Sequence, residues 1–185
     1  MKLFLGKTII ILGAVALFAW TAWQNAAPSG VFEARYDFAE AIPFITGLSP
    51  GDRVGSLERD SRGDAYQTII DDPVYFRVRA PRHFDRAWIT VRYQNPSQQP
   101  LAVGGLVDWN TFQFDLKPLR SDATDDWQTV TVAFDLAPLR WEGRTLTFAF
   151  SAPEMKIIKR PVQISEIKVR LERSPFFFED LWDLL

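Results

Sequence analysis

The chain has 185 residues, of which 47% are hydrophobic and 24% charged, with a net charge of -2. This length holds one domain and an appendage, and this balance excludes a disordered polyion and a dedicated nucleic-acid binder. Cysteine is absent and histidine occurs once, as His83. Disulfide frameworks, thiol catalysis, cysteine-based zinc sites and multi-histidine metal sites are therefore excluded within one chain.

The N-terminus reads as a transmembrane anchor over residues 1–23. Lys2 and Lys7 precede Thr8 to Trp23, which carries no charge. From Leu3 to Trp23 a helix reaches about 31 Å, roughly one hydrocarbon core. Lys7 snorkels, and Trp20 and Trp23 lie where an aromatic belt is expected. The positive-inside rule places the N-terminus in the cytoplasm and the remaining chain on the periplasmic or extracellular side of the inner membrane. A cleaved signal peptide is the rival reading. It is disfavoured by the length of the apolar run and by Asn25-Ala26-Ala27 followed by Pro28 at the cleavage position. Residues 24–30 (QNAAPSG) read as a linker that reaches at most about 25 Å.

Residues 31–173 read as an all-β domain, an antiparallel β-sandwich of jelly-roll type. Val31 to Tyr36 suits a first strand, Pro50-Gly51-Asp52-Arg53 a turn, and Tyr66 to Ile70 the start of the sandwich proper. Period-two alternation then predicts strands with one apolar face inward. The inward sets are Val74, Phe76 and Val78; Ala87, Ile89, Val91 and Tyr93; Phe112, Phe114 and Leu116; Val130, Val132, Phe134 and Leu136; and Leu146, Phe148 and Phe150. The last strand changes phase between Val162, Ile164 and Ile167, Val169, Leu171. A β-bulge near Ser165-Glu166 restores the facing. Asp72-Pro73, Ala80-Pro81-Arg82, Asn95-Pro96-Ser97, Gly104-Gly105, Glu142-Gly143 and Ala152-Pro153 supply turns.

The order DPVYFRVRAPRHFDRAWITVRYQNP, a Gly104-Gly105 and Trp109 region, DDWQTVTVAFDL, LTFAFSAP and VQISEIKVRLE resembles the galactose-binding-like jelly roll shared by many carbohydrate-binding modules. The resemblance covers residues 66–173. It implies a superfamily that hosts glycan binders, lipid-head binders, interaction modules and inert domains, and fold alone does not choose among them.

Within the sandwich Trp88, Trp109, Trp127 and Trp141 are candidates for sugar stacking, since a flat aromatic face matches the apolar face of a pyranose. Trp88 lies on the outward phase of its strand with Thr90 and Arg92, so Trp88, Arg92 and Trp109 are the candidate ligand residues. Burial beneath loops at the sandwich edge is the competing role for these rings. Asp60, Asp64, Asp71 and Asp72 are carboxylates that suit a structural calcium, as the resemblance also implies, or a turn. Asp122, Asp125 and Asp126 read as a solvated connection. His83 lies in a turn without triad partners, and no pair of acids stands out for glycoside hydrolysis. No catalytic residue, metal ligand or cofactor is assigned, and the chain is not read as an enzyme.

Residues 174–185 read as a short apolar helix, with Ser174 as N-cap and Pro175 in the first turn. Phe176, Phe177, Phe178, Leu181, Trp182 and Leu185 are the candidate partner-binding residues. Packing on the chain's own sandwich and contact with lipid are the other roles for this apolar face. Two functional expectations follow. The first is a non-catalytic accessory or scaffold subunit of a membrane complex, with lipid and other subunits as partners. The alternative is a membrane-tethered module that binds envelope polysaccharide.

Overall fold

A computed structural model describes residues 10–20, 30–97, 99–119, 126–155 and 161–174. It divides into two compact units, of which Val31–Glu172 is the sandwich. The other unit contains a helix at 10–20, whose large apolar side chains Ile10, Ile11, Leu12, Val15, Leu17, Phe18 and Trp20 are all exposed. Among the described residues no helix is long and apolar enough to cross a membrane. The remainder of the expected anchor, the linker to 29 and the tail from 175 onward lie outside the described residues.

Among the described residues eleven strands form two antiparallel sheets: β1 (Gly30–Tyr36), β2 (Val54–Arg59), β3 (Ala65–Ile69), β4 (Val74–Arg79), β5 (Arg86–Gln94), β6 (Ala102–Asp108), β7 (Gln113–Pro118), β8 (Gln128–Asp135), β9 (Trp141–Glu142), β10 (Thr145–Ser151) and β11 (Val162–Arg173). Sheet A has the order β2-β3-β11-β5-β8, with β1 also on β11. Sheet B has the order β4-β10-β6-β7, with β9 also on β10. The core lies between the sheets. It takes the inward residues of β4 and β5, the Phe134 end of β8, and Leu146, Phe148 and Phe150 of β10. Phe76, Phe148 and Phe150 stack at its centre, with ring centroids 5.5 and 5.2 Å from Phe76.

The expected bulge is present. β11 pairs Ile164 with Tyr93 and then Glu166 with Arg92, leaving Ser165 unmatched. Ser165 is buried, and its hydroxyl donates to the Arg92 carbonyl at 3.4 Å. Ile164 and Ile167 thereby both reach the core.

Four expectations are corrected. Gly104-Gly105 is not a turn but the middle of β6. A Cβ on Gly104 would lie 2.9 Å from the Asp115 carbonyl oxygen, and one on Gly105 would lie 2.4 Å from Leu139 Cδ1. The pair permits close approach rather than chain reversal. Phe112, Phe114 and Leu116 do not point into the core. Phe112 lies in the β6–β7 turn and is 65% exposed, and Leu116 is 49% exposed. In β7 it is Asp115 and Lys117 that share the inward phase, opposite Gly105 and Val103. The cause is position. β7 is an edge strand, so its inward side chains meet the rim between the sheets, where charge is tolerated. Lys117 Nζ crosses that rim to donate to the Ala133 carbonyl of β8 at 2.7 Å and lies 4.8 Å from the Phe134 ring centroid. Phe114 stacks instead on Tyr75 of β4, 6.0 Å between centroids. The two rings meet across Ala149 and Gly104, the small residues of the intervening strands on that face. For the same reason Thr147 and Ala149, on the outward phase of β10, are buried. Finally, the sandwich begins before Tyr66. β2 pairs with β3, and Ile45 and Ser49 bridge to Val78 and Tyr75 along the outer edge of β4.

Candidate functional site

Among the described residues, the outer face of sheet A brings aromatic, hydroxyl and charged side chains together. The alternation that buries Ala87, Ile89, Val91 and Tyr93 directs Trp88, Thr90 and Arg92 outward. Strand register then selects their neighbours. Trp88 lies opposite Arg170 on β11 and Ala133 on β8, Thr90 opposite Lys168 and Thr131, and Arg92 opposite Glu166 and Thr129. Because Ala133 is small, one flank of the half-buried Trp88 ring stays open.

These residues form a groove of about 440 Å³, lined by Trp88, Thr90, Thr131, Lys168, Arg170 and the carboxylates Glu33 and Glu172. The Thr90 and Thr131 hydroxyls share a hydrogen bond of 2.8 Å across the floor. Glu33 of β1 lies 3.3 Å from Lys168 Nζ and 3.9 Å from Arg170 Nε, and Glu172 pairs with Arg170. The groove thus holds an aromatic plane, two hydroxyls and two cations, each cation beside a carboxylate. Both carboxylates contact Arg170.

Arg92 lies further along the face. It pairs with Asp64 at 2.8 Å, and its guanidinium stacks 5.0 Å from the Trp127 ring centroid. Trp127 also contacts Tyr66 of β3, whose hydroxyl donates to Glu58 at 2.6 Å. That hydrogen bond, with lesser contributions from desolvation and from the charges of Glu58 and Asp60, raises the Tyr66 pKa. A second, smaller cleft of about 150 Å³ opens here between Arg35, Asp37, Arg59, Asp64, Arg92 and Glu166.

Trp109 is elsewhere. It follows β6 of sheet B, donates its indole N–H to Glu142 of β9, and meets Phe112 edge-on at 5.9 Å. The structure thus brings Trp88 and Arg92 onto one face and separates Trp109 from them. Trp141 packs against the core and against the exposed His83, 4.9 Å between rings. The candidate tail residues Phe176, Phe177, Phe178, Leu181, Trp182 and Leu185, and the acids Asp122 and Asp125, lie outside the described residues.

The four candidate calcium ligands have other roles. Asp60 closes the β2–β3 hairpin by accepting the amides of Arg62 at 2.8 Å and Asp64 at 2.9 Å. Desolvation is the largest single influence on its carboxyl and pushes its pKa up. The amides of Asp64 and Arg62, with the charges of Arg92 and Arg62, outweigh it and hold the pKa below the ordinary value. Asp64 pairs with Arg92, the Asp71 carboxylate accepts the Asp72 amide at 2.8 Å, and Asp72 accepts the Ala152 amide at 2.6 Å. Among the described residues no group of three acids or histidines is placed to hold a metal ion.

Sequence inspection missed Thr131, Lys168, Arg170, Glu172 and Glu33 as groove residues. Their outward phase was legible, but their convergence on Trp88 depends on β1, β11, β5 and β8 being neighbours.

No protein-family model matches the chain, and no curated protein does. Solved structures do. The sandwich is similar in fold to carbohydrate-binding modules. Among them are the CBM35 module of Abf62 from Cellvibrio japonicus, 17% identical, with 75% of this chain and 92% of that one covered and a TM-score of 0.48. The CBM22-1 xylan-binding domain of Xyn10C from Paenibacillus barcinonensis is 12% identical, with 76% and 94% covered and a TM-score of 0.48. The CsCBM6-3 module from Clostridium stercorarium, solved with cellobiose, is 10% identical, with 76% and 93% covered and a TM-score of 0.47. The match spans only 24% of an MgGH51 α-L-arabinofuranosidase and 23% of the isomalto-dextranase of Arthrobacter globiformis T6. The likeness concerns fold, and no residue role is carried over from it.

Proposed function

We propose that this chain is a non-catalytic, membrane-tethered module that binds glycan on the outer face of sheet A. One observation carries the reading: Trp88 forms an aromatic floor beside the Thr90–Thr131 hydroxyl pair and the cations of β11, in an open groove of about 440 Å³. A pyranose presents an apolar face to such a ring and hydroxyls to such a rim. The tether is supported by the charge-free run from Thr8 to Trp23 and by the exposed apolar side chains of the helix at 10–20, which call for an apolar surrounding. The test is a glycan array followed by titration of tryptophan fluorescence. Trp88→Ala is expected to weaken binding about tenfold or more. Equal binding by wild type and Trp88→Ala would refute the site.

A second reading, an accessory subunit of a membrane complex, has its own observation on sheet B. Leu116 is exposed there beside an apolar groove of about 300 Å³, whose lining includes Pro100, Leu101, Pro118, Leu119 and Pro153. Stoichiometric co-migration of other membrane proteins after mild detergent extraction, lost on Leu116→Glu, would favour this reading over the first.

A further inference from the structure

The binding face of sheet A does not end at Trp88. Register places Trp88, Thr90 and Arg92 of β5 opposite Arg170, Lys168 and Glu166 of β11. Glu33 and Arg35 of β1 reach the same row of β11, through Lys168 and Arg170 and through Glu166 at 2.8 Å. The groove at Trp88 and the cleft at Arg92 are consecutive stretches of one track along three strands. Trp88 and Arg92 are four residues apart in β5, about 13 Å at roughly 3.3 Å per residue, which is more than one sugar ring spans.

The charges along this track cancel. Lys168 and Arg170 face Glu33 and Glu172 in the groove, and Arg35, Arg59 and Arg92 face Asp37, Asp64 and Glu166 in the cleft. Most of these cations already contact a carboxylate: Arg35 with Glu166, Arg92 with Asp64, Lys168 with Glu33, and Arg170 with Glu172. Arg59 donates to the Gly63 carbonyl at 2.8 Å. A uronate or phosphate entering the cleft would meet three carboxylates. A sugar hydroxyl both donates and accepts, so alternating guanidinium and carboxylate groups satisfy it on both counts. Arg92 is held in place by Asp64 and Trp127, so its ordering cost is met before a ligand arrives.

We infer that the ligand is an uncharged linear glycan laid along β5, with one sugar on Trp88 and a later sugar in the cleft formed by Arg35, Arg59 and Arg92. This rests on the glycan-binding reading above and adds the charge class, the direction and a second subsite. The test is calorimetric titration of the full-length protein in detergent. The probes are neutral gluco-, xylo- and galacto-oligosaccharides of two to six sugars and uronic-acid oligosaccharides of the same lengths, each at about 0.05 and 0.5 M salt. Affinity for a neutral series is expected to rise from two sugars to four or more and to change less than about twofold with salt. Arg35→Ala and Arg59→Ala, both at exposed positions, are expected to lose about tenfold for the longer ligands and little for disaccharides. Trp88→Ala is expected to lose affinity at every length. Binding that needs Trp88 but ignores length and both arginine variants overturns the second subsite and leaves the glycan reading standing. Tighter, salt-sensitive binding of the uronic-acid series overturns the neutral class. If no series binds, the glycan reading falls and this inference with it.

Discussion

Replacing Gly105 by alanine tests why β6 contains two adjacent glycines. Gly105 is inward-facing and paired with Phe148, and a methyl group there would lie 2.4 Å from Leu139 Cδ1 and 2.9 Å from Cδ2. Carbon atoms prefer about 3.5–4.0 Å, so Leu139, itself buried, has to move against a packed core. Overpacking of this kind costs about 1–3 kcal/mol. At about 2–4 °C per kcal/mol for a chain of this size, that lowers Tm by roughly 2–12 °C. Leu139→Ala alone leaves a cavity worth about 2–5 kcal/mol. In the double variant the added methyl enters the vacated space, so the combined loss is expected to fall short of the sum by about 1–3 kcal/mol. Gly104→Ala makes the control. Its methyl meets the Asp115 carbonyl oxygen at 2.9 Å as well as Leu116 Cδ2 at 2.7 Å, and a backbone atom cannot rotate away. Leu116→Ala is therefore expected not to rescue it. Thermal unfolding of the full-length protein, followed by near-UV circular dichroism, measures these single and double variants. Strict additivity of Gly105→Ala and Leu139→Ala, or a Gly105→Ala protein as stable as wild type, would refute the packing argument.

Deleting Ser165 is expected to leave the fold intact, because Ile164 and Ile167 then fall into unbroken alternation against Tyr93 and Val91. Deleting Lys168 turns Val169 and Leu171 outward and is expected to unfold the domain, as amide hydrogen exchange of β5 and β11 will show. Phe112 and Phe38 both have positive φ, 50° and 64°. Phe112→Gly is expected to raise stability by about 1 kcal/mol, since the exposed ring contributes little and the strain is relieved. Phe38→Gly removes a buried ring that packs at a tilt 4.6 Å from Tyr36 and is expected to cost about 3–5 kcal/mol in the same unfolding assay. Asp60 and Asp108 both have lowered pKa values. Asp108 is lowered first by the Asn110 amide and then by the Thr111 hydroxyl, and these outweigh its desolvation. Their stabilising contribution is present above the unfolded value of about 3.9 and is lost as pH falls through the lower folded values. A Tm series against pH in Asp60→Asn is therefore expected to show a weaker acid dependence than wild type.

Alternation made β4, β5 and the bulge in β11 legible in the sequence, because each of those strands has one face on the core and the inward residues are large. It misled for Phe114, Leu116, Thr147 and Ala149. A single strand's pattern cannot show that β7 lies at an edge, or that Tyr75 and Phe114 close over the outer face of sheet B. β2, with four consecutive exposed residues, has almost no inward signal. Trp88 and Arg92 were legible as outward-facing. The separate place of Trp109 was not, because it depends on which sheet β6 joins.

Lys117 has a consequence for crowding. Molecules at high concentration meet often, and an open sandwich edge invites strand addition between neighbours. With its ammonium on the Ala133 carbonyl, Lys117 places a charge and an occupied acceptor where the edges of β7 and β8 meet. A newcomer strand would have to bury that ammonium or displace it. At that end of the sandwich, strand addition between molecules accordingly carries an electrostatic cost as well as a geometric one.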